Sequence, residues 1–178
     1  MKPSDSRIVD FYSGATPDHR GRYLDEILEW SDDDLEGVHD YIQWLFPLVD
    51  PSGFNANAPV LDQRAIQEFR ARPDLQRRMR TSFLRMLGFY GLEFVEARPP
   101  AVRRARSYAA RSKNWLTVSN HNHLRITRIL RSMRILGLRA EATAFFACLV
   151  EIYSEETAKD FPGISDESFR FWKDAITR

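Results

Sequence analysis

Residues 119–137 read SNHNHLRITRILRSMRILG, and the order of capping, apolar and basic residues in this stretch predicts the centre of the fold. Ser119 or Asn120 can cap a helix that runs to Leu136 and stops at Gly137. At about 100° per residue, Ile126, Ile129, Leu130, Met133 and Leu136 share one side, while Arg125, Arg128, Arg131 and Arg134 spread over the opposite half. Leu124 and Ile135 fall among the arginines. A helix with apolar residues on both sides is contacted from both directions, so a central helix is expected near 120–136.

Working outward, a following helix is expected from Arg139 to about Thr157 around Phe145, Phe146, Leu149, Ile152 and Tyr153. A last one is capped by Ser165 and carries Phe169, Trp172 and Ile176. Towards the N-terminus, Thr16-Pro17-Asp18 can start a helix bearing Tyr23, Leu24, Ile27 and Leu28. Residues Ser31 to Asp34 can cap the next, in which Leu35, Val38, Tyr41, Ile42 and Leu45 form one stripe before Pro47 ends it. The segment from Leu48 to Val60 reads as a loop ordered by Phe54 as an apolar anchor. Asp62 can cap a short helix with Ala65, Ile66 and Phe69. Pro73 opens a longer helix with Leu75, Met79, Phe83, Met86 and Tyr90, closed by Gly91 with Leu92 as the apolar contact of the glycine cap. From Glu93 to Val118 the arginines obscure any stripe, and a helix is assigned to Val102–Ser112. No strand or hairpin signal stands out. The expectation is an all-α, single globular domain over 1–178, with about seven to eight packed helices.

The chain has 178 residues, 43% of them hydrophobic and 12% aromatic, enough for a substantial core in one domain. The longest apolar run, Ala142 to Val150 with Thr143 inside it, is too short to span a bilayer, and no basic-then-apolar signal opens the chain. A soluble, unsecreted, cytoplasmic monomer is expected. The lone Cys148 sits among apolar neighbours and behaves as a small buried hydrophobe, which excludes an intramolecular disulfide and disfavours a cysteine-based zinc site. No cofactor or metal is expected.

The net charge of +1 conceals an uneven distribution. Met1 to Val60 carries a net of -8, Leu61 to Ala140 a net of +13, and Glu141 to Arg178 a net of -4. Between Glu96 and Glu141 there is no acid. Such a stretch invites an anionic partner, or pairs internally with the acidic ends of its own chain.

The octamer Tyr41-Ile42-Gln43-Trp44-Leu45-Phe46-Pro47-Leu48 resembles the conserved region of the opioid growth factor receptor family. Further segments agree in order: Asn57-Ala58-Pro59-Val60-Leu61, Leu87-Gly88-Phe89-Tyr90-Gly91, Asn114-Trp115, His123-Leu124-Arg125-Ile126-Thr127-Arg128-Ile129-Leu130 and Phe161-Pro162-Gly163. The resemblance covers most of the chain. It implies kinship with vertebrate members described as receptors for an enkephalin pentapeptide, associated with the nucleus and nuclear envelope and with growth restraint. Those members carry long extensions, whereas this chain ends soon after Trp172. It is therefore more like the microbial members. The resemblance transfers no binding residues.

Candidate sites follow from residue chemistry. Core packing is the favoured reading of the octamer, but Trp44 and Phe46 fall off its apolar line. If either lines a groove, Asp40 or Asp50 nearby would suit a peptide with aromatic rings and a cationic amine. His121 and His123 are two apart on a helix and point to nearly opposite sides, so capping or surface roles outweigh a shared metal. With Arg125, Arg128 and Arg131 they form a candidate contact set for an anion or nucleic acid. Asp32-Asp33-Asp34 lacks the glycine and distant glutamate of a calcium loop and reads as a helix start. Ser13, Ser107 and Ser119 lack nucleophile-elbow context. The leading expectation is a non-enzymatic module that binds a peptide or protein. Nucleic-acid or other polyanion binding through 98–139 comes second, and an unrecognised enzyme third.

Overall fold

A computed structural model describes residues 7–177, which divide into two compact units. The first runs to Ser82 and takes in Ile135–Gly137; the second comprises Phe83–Arg134 and the chain from Leu138 onward.

The first unit opens with α1, Arg7–Ser13, a helix with no counterpart in the expected set. The helix expected from Thr16 begins only at α2, Leu24–Leu28. Residues 16–22 instead form a turn, because Gly21 adopts φ 81°, outside helical space, and the Asp18 carboxylate gathers the Arg20 and Arg22 amides at 2.8 and 3.0 Å. The next expected helix is two: α3, Asp32–Gly37, and α4, Ile42–Leu45. Val38 is extended between them, while the Tyr41 hydroxyl donates to the Leu35 carbonyl at 3.1 Å and ties the pieces together. The expected cap at Ser31 is present, its hydroxyl accepting from the Asp34 amide at 3.1 Å. Then come α5, Gln63–Ala71, capped by Asp62 through the Ala65 amide at 2.7 Å, and the first part of α6, Pro73–Tyr90. Phe11, Tyr12, Trp44, Phe46 and Phe69 are buried, with Tyr12 edge-on to Phe69 and Phe11 to Trp44 at 5.0 and 5.2 Å. Phe54, expected as the loop's anchor, is 90% exposed.

The second unit holds a two-stranded antiparallel ribbon, β1, Leu92–Val95, and β2, Ala101–Arg104, in the register Leu92↔Arg104. This corrects the helix assigned to Val102–Ser112. Val102 is an inward strand residue opposite Phe94, and only α7, Tyr108–Arg111, followed by a 3-10 turn at Ser112–Asn114, is helical there. Four-residue strands are too short to show a period of two, and Pro99-Pro100 is the reversal between them. Gly91 ends α6 at φ 76°, and the Ala105 amide returns to its carbonyl at 2.9 Å.

Beyond the ribbon lie α8, His121–Leu136, α9, Arg139–Glu156, and α10, Asp166–Thr177. Of the 16 residues in α8 only Leu124 is exposed, so the helix is enclosed on both sides as its sequence predicts. Gly137 stops it at φ 105°. The Ser165 hydroxyl caps α10 through the Ser168 amide at 3.1 Å. Trp115 and Trp172 are fully buried, their indole N–H groups donating to the Tyr90 and His123 carbonyls at 3.1 and 2.9 Å. Phe83 packs on Phe145 at 5.7 Å. Each such aromatic contributes roughly 1.5–3 kcal/mol through removal from water. Mostly α-helical is therefore the right class, with ten α-helices and one ribbon among the described residues. No helix in that range is long and apolar enough to cross a membrane.

Candidate functional site

The turn at 16–22 builds a charged cluster in the first unit. Asp18 is 5% exposed and accepts from Arg22 Nε at 2.7 Å as well as from the two amides, which fixes Arg22 and aims its outer nitrogen at Asp40 Oδ1, 2.9 Å away. Arg20 Nε donates to Asp40 Oδ2, and His19 Nε2 lies 3.4 Å from the same oxygen. The other ring nitrogen, His19 Nδ1, accepts from the Trp44 indole at 3.0 Å, so the imidazole proton resides on Nε2, facing Asp40. Burial alone would raise the Asp40 carboxyl, but hydrogen bonds and charge from Arg22 and Arg20 hold it below the usual carboxylate range. Burial likewise opposes the Arg22 charge, yet Asp18 and Asp40 outweigh it and raise its pKa. Over this cluster lies an open depression of about 400 Å³ lined by Arg20, Arg22, Gly37, Val38, His39 and Asp40.

The four residues considered for a peptide groove are placed apart. Asp40 lines the depression, whereas Trp44 and Phe46, 2% and 0% exposed, sit in the core, and Trp44 reaches the cluster only through His19. Asp50 is exposed on the loop that follows. His19, Arg20, Arg22, Val38 and His39 were not among the candidates. The signal that could have found them is the pair Asp18 and Gly21, which reads as a turn rather than a helix start.

The candidate anion set lies in the second unit. His123 is 3% exposed, its Nε2–H donating to the Trp115 carbonyl at 2.9 Å and its Nδ1 accepting from the Ser168 hydroxyl at 3.2 Å, with the Trp172 ring edge-on at 5.5 Å. Burial lowers its pKa despite the Trp115 carbonyl and so favours the neutral ring. Arg125 is 4% exposed and donates to Asn122 Oδ1 at 3.2 Å. Arg128 and Arg131 are half-buried, and burial followed by the Arg131 charge brings the Arg128 pKa down to about 10. His121 is half-buried in the first turn of α8. On the ribbon, Arg103 pairs with Glu93 at 2.7 Å and Arg104 with Glu155 at 2.8 Å, while Arg98, Arg106, Lys113 and Arg139 are exposed. Among the described residues no three His, Cys, Asp or Glu side chains are grouped to hold a metal.

The whole chain, residues 1–178, matches the model of the opioid growth factor receptor conserved region. The chain belongs to that family. It is 38% identical over 161 residues to the human opioid growth factor receptor, covering 88% of this chain and 23% of that protein. Against the mouse opioid growth factor receptor the identity is 40% over 140 residues, 77% of this chain and 21% of that protein. Against opioid growth factor receptor-like protein 1 of Xenopus tropicalis it is 34% over 176 residues, 96% and 33%. The chain thus spans a fifth to a third of the length of these relatives. No solved structure matches it. Every segment that carried the resemblance to the opioid growth factor receptor family holds core or turn positions, among them Tyr41, Trp44, Leu45, Phe46, Tyr90, Gly91, Trp115, His123 and Gly163. The segments that carry the resemblance are therefore largely segments of the fold.

Proposed function

We propose that this opioid growth factor receptor-type chain is a non-enzymatic binding module that recognises a peptide or protein, from a place in the cytoplasm. The observation that carries the reading is the open depression of about 400 Å³ at the Asp40 cluster, lined by Arg20, Arg22, Gly37, Val38, His39 and Asp40. The relatives' names as receptors support it. Asp40 is already claimed by Arg20, Arg22 and His19, so a ligand amine would compete with two guanidinium groups for it. Arg20, 66% exposed, keeps outward N–H donors, and a peptide carboxylate or backbone carbonyl is the better match. The polyanion reading ranks lower, because Arg125 is buried and His123 is buried with a lowered pKa.

Selection of displayed peptides on the purified chain, followed by calorimetry, tests this. Selected peptides should bind the parent chain and lose at least tenfold in affinity with Arg20→Ala at unchanged melting temperature. Selection that enriches nothing, or peptides indifferent to Arg20→Ala and His39→Ala, would refute the assignment of the site.

A further inference from the structure

Within the same unit, residues 48–60 leave the core and return to it at one point. Leu48 and Val60 form a parallel bridge, and the Leu61 amide donates to the Leu48 carbonyl at 2.9 Å. Inside, the Ser52 hydroxyl accepts from the Phe54 and Asn55 amides at 3.2 Å each, and Asn55 Oδ1 accepts from the Asn57 amide at 3.0 Å. Asn55, 9% exposed, also donates through Nδ2 to the Asp40 carbonyl at 3.3 Å, which anchors the loop beside the depression. The loop is thus held from within by polar bonds. Three of its large apolar side chains face outward, Phe54 at 90% exposed, Val60 at 47% and Val49 at 38%, while Leu48 is buried. A loop fixed by hydrogen bonds loses little further freedom on binding, so a protruding aromatic on it is an effective anchor.

Charge decides what the anchor would enter. Between Arg22 and Arg64 there is no lysine or arginine, while ten acids occur there. Exposed Asp50 and Asp62 stand at the two ends of the loop. These two carboxylates beside the arm would repel an anionic bilayer and favour a cationic protein surface.

We infer that the loop 48–60 is a docking arm whose Phe54 inserts into an apolar socket ringed by lysine or arginine on a partner protein. The inference rests on the binding-module reading and names its partner class. Three synthetic helical peptides test it on the intact chain: a leucine- and lysine-rich amphipathic peptide, its glutamate-for-lysine twin, and oligolysine. The cationic amphipathic peptide should bind, weaken with salt, and lose at least tenfold in affinity with Phe54→Ser at unchanged melting temperature. Phe54→Trp should restore binding. Binding of none of the peptides, equal binding by Phe54→Ser, preference for the acidic twin, or equal affinity for oligolysine would overturn the inference. So would a concentration-dependent dimer, or binding to phosphatidylcholine vesicles, that Phe54→Ser abolishes, because the arm would then serve a second copy or a lipid surface. Loss of display-selected peptides in Arg20→Ala with no effect of Phe54→Ser sinks the docking arm alone. The reverse pattern sinks the depression as the site and leaves the arm standing.

Discussion

Gly163 donates its amide to Glu156 Oε2 at 2.9 Å, and a Cβ placed on it would lie 2.4 Å from the Leu116 carbonyl oxygen. Space, not backbone conformation, excludes a side chain there, and the nearest atoms are backbone that cannot swing away. Gly163→Ala should therefore cost about 1–3 kcal/mol, read as a lower urea midpoint at unchanged slope. An alanine variant as stable as the parent would show that the 114–120 loop yields freely. At His123 the balance is one of protons. Burial lowers the folded pKa below the ordinary 6.5, so in acid the unfolded chain binds a proton that the folded chain refuses. This contribution is fully present above about pH 6.5 and is lost as the pH falls from there through the folded value. Stability should drop across that interval, and His123→Gln should remove part of the slope while lowering stability at pH 7.5. An unchanged slope in the variant would place the acid sensitivity elsewhere.

Among elements, the turn that precedes α2 bears on function because one buried carboxylate organises it. Asp18 serves two amides and the Arg22 guanidinium, and through Arg22 it sets the position of Asp40. Asp18→Ala would strand these donors and leave Arg22 with one partner fewer. A loss of about 3 kcal/mol is expected from such a deletion. Peptides selected on the parent chain should fail to bind the folded variant at low temperature. Melting temperature and calorimetry check the two halves separately. A variant that melts early but binds normally would dissociate the turn from the site. The ribbon illustrates why some elements were illegible. Leu92 and Phe94 alternate inward on β1, but four residues supply two inward positions, which a helix end supplies equally well. Likewise Leu35, Tyr41, Ile42 and Leu45 are all buried and keep helical spacing in sequence although Val38 breaks the helix between them, and every residue of α4 is buried whatever its spacing. Spacing reports which residues go in, not whether the backbone between them is continuous.

For the whole molecule, α6 is divided between the two compact units at Ser82 and Phe83, and a helix whose two halves belong to different units resists melting in one alone. If the chain is one domain over 1–178, urea unfolding is expected to be a single transition. Trp30 and Trp44 report on the first unit, Trp115 and Trp172 on the second. Single-tryptophan variants should give coincident midpoints in fluorescence and circular dichroism. Midpoints separated beyond error would establish independent units. What the sequence by itself determined is the helical class, the enclosed helix at 121–136, the caps at Ser31, Asp62 and Ser165, the stops at Gly91 and Gly137, and the family. Each depends on neighbours within a few residues or on a long ordered match, so local chemistry suffices. Only the tertiary structure decided that Arg125 and His123 are buried, that Asp40 is gripped from the 16–22 turn, and that Phe54 stands in solvent. These are questions of which distant segment arrives at a side chain, and a linear pattern fixes a residue's own periodicity but not the burial its remote neighbours impose.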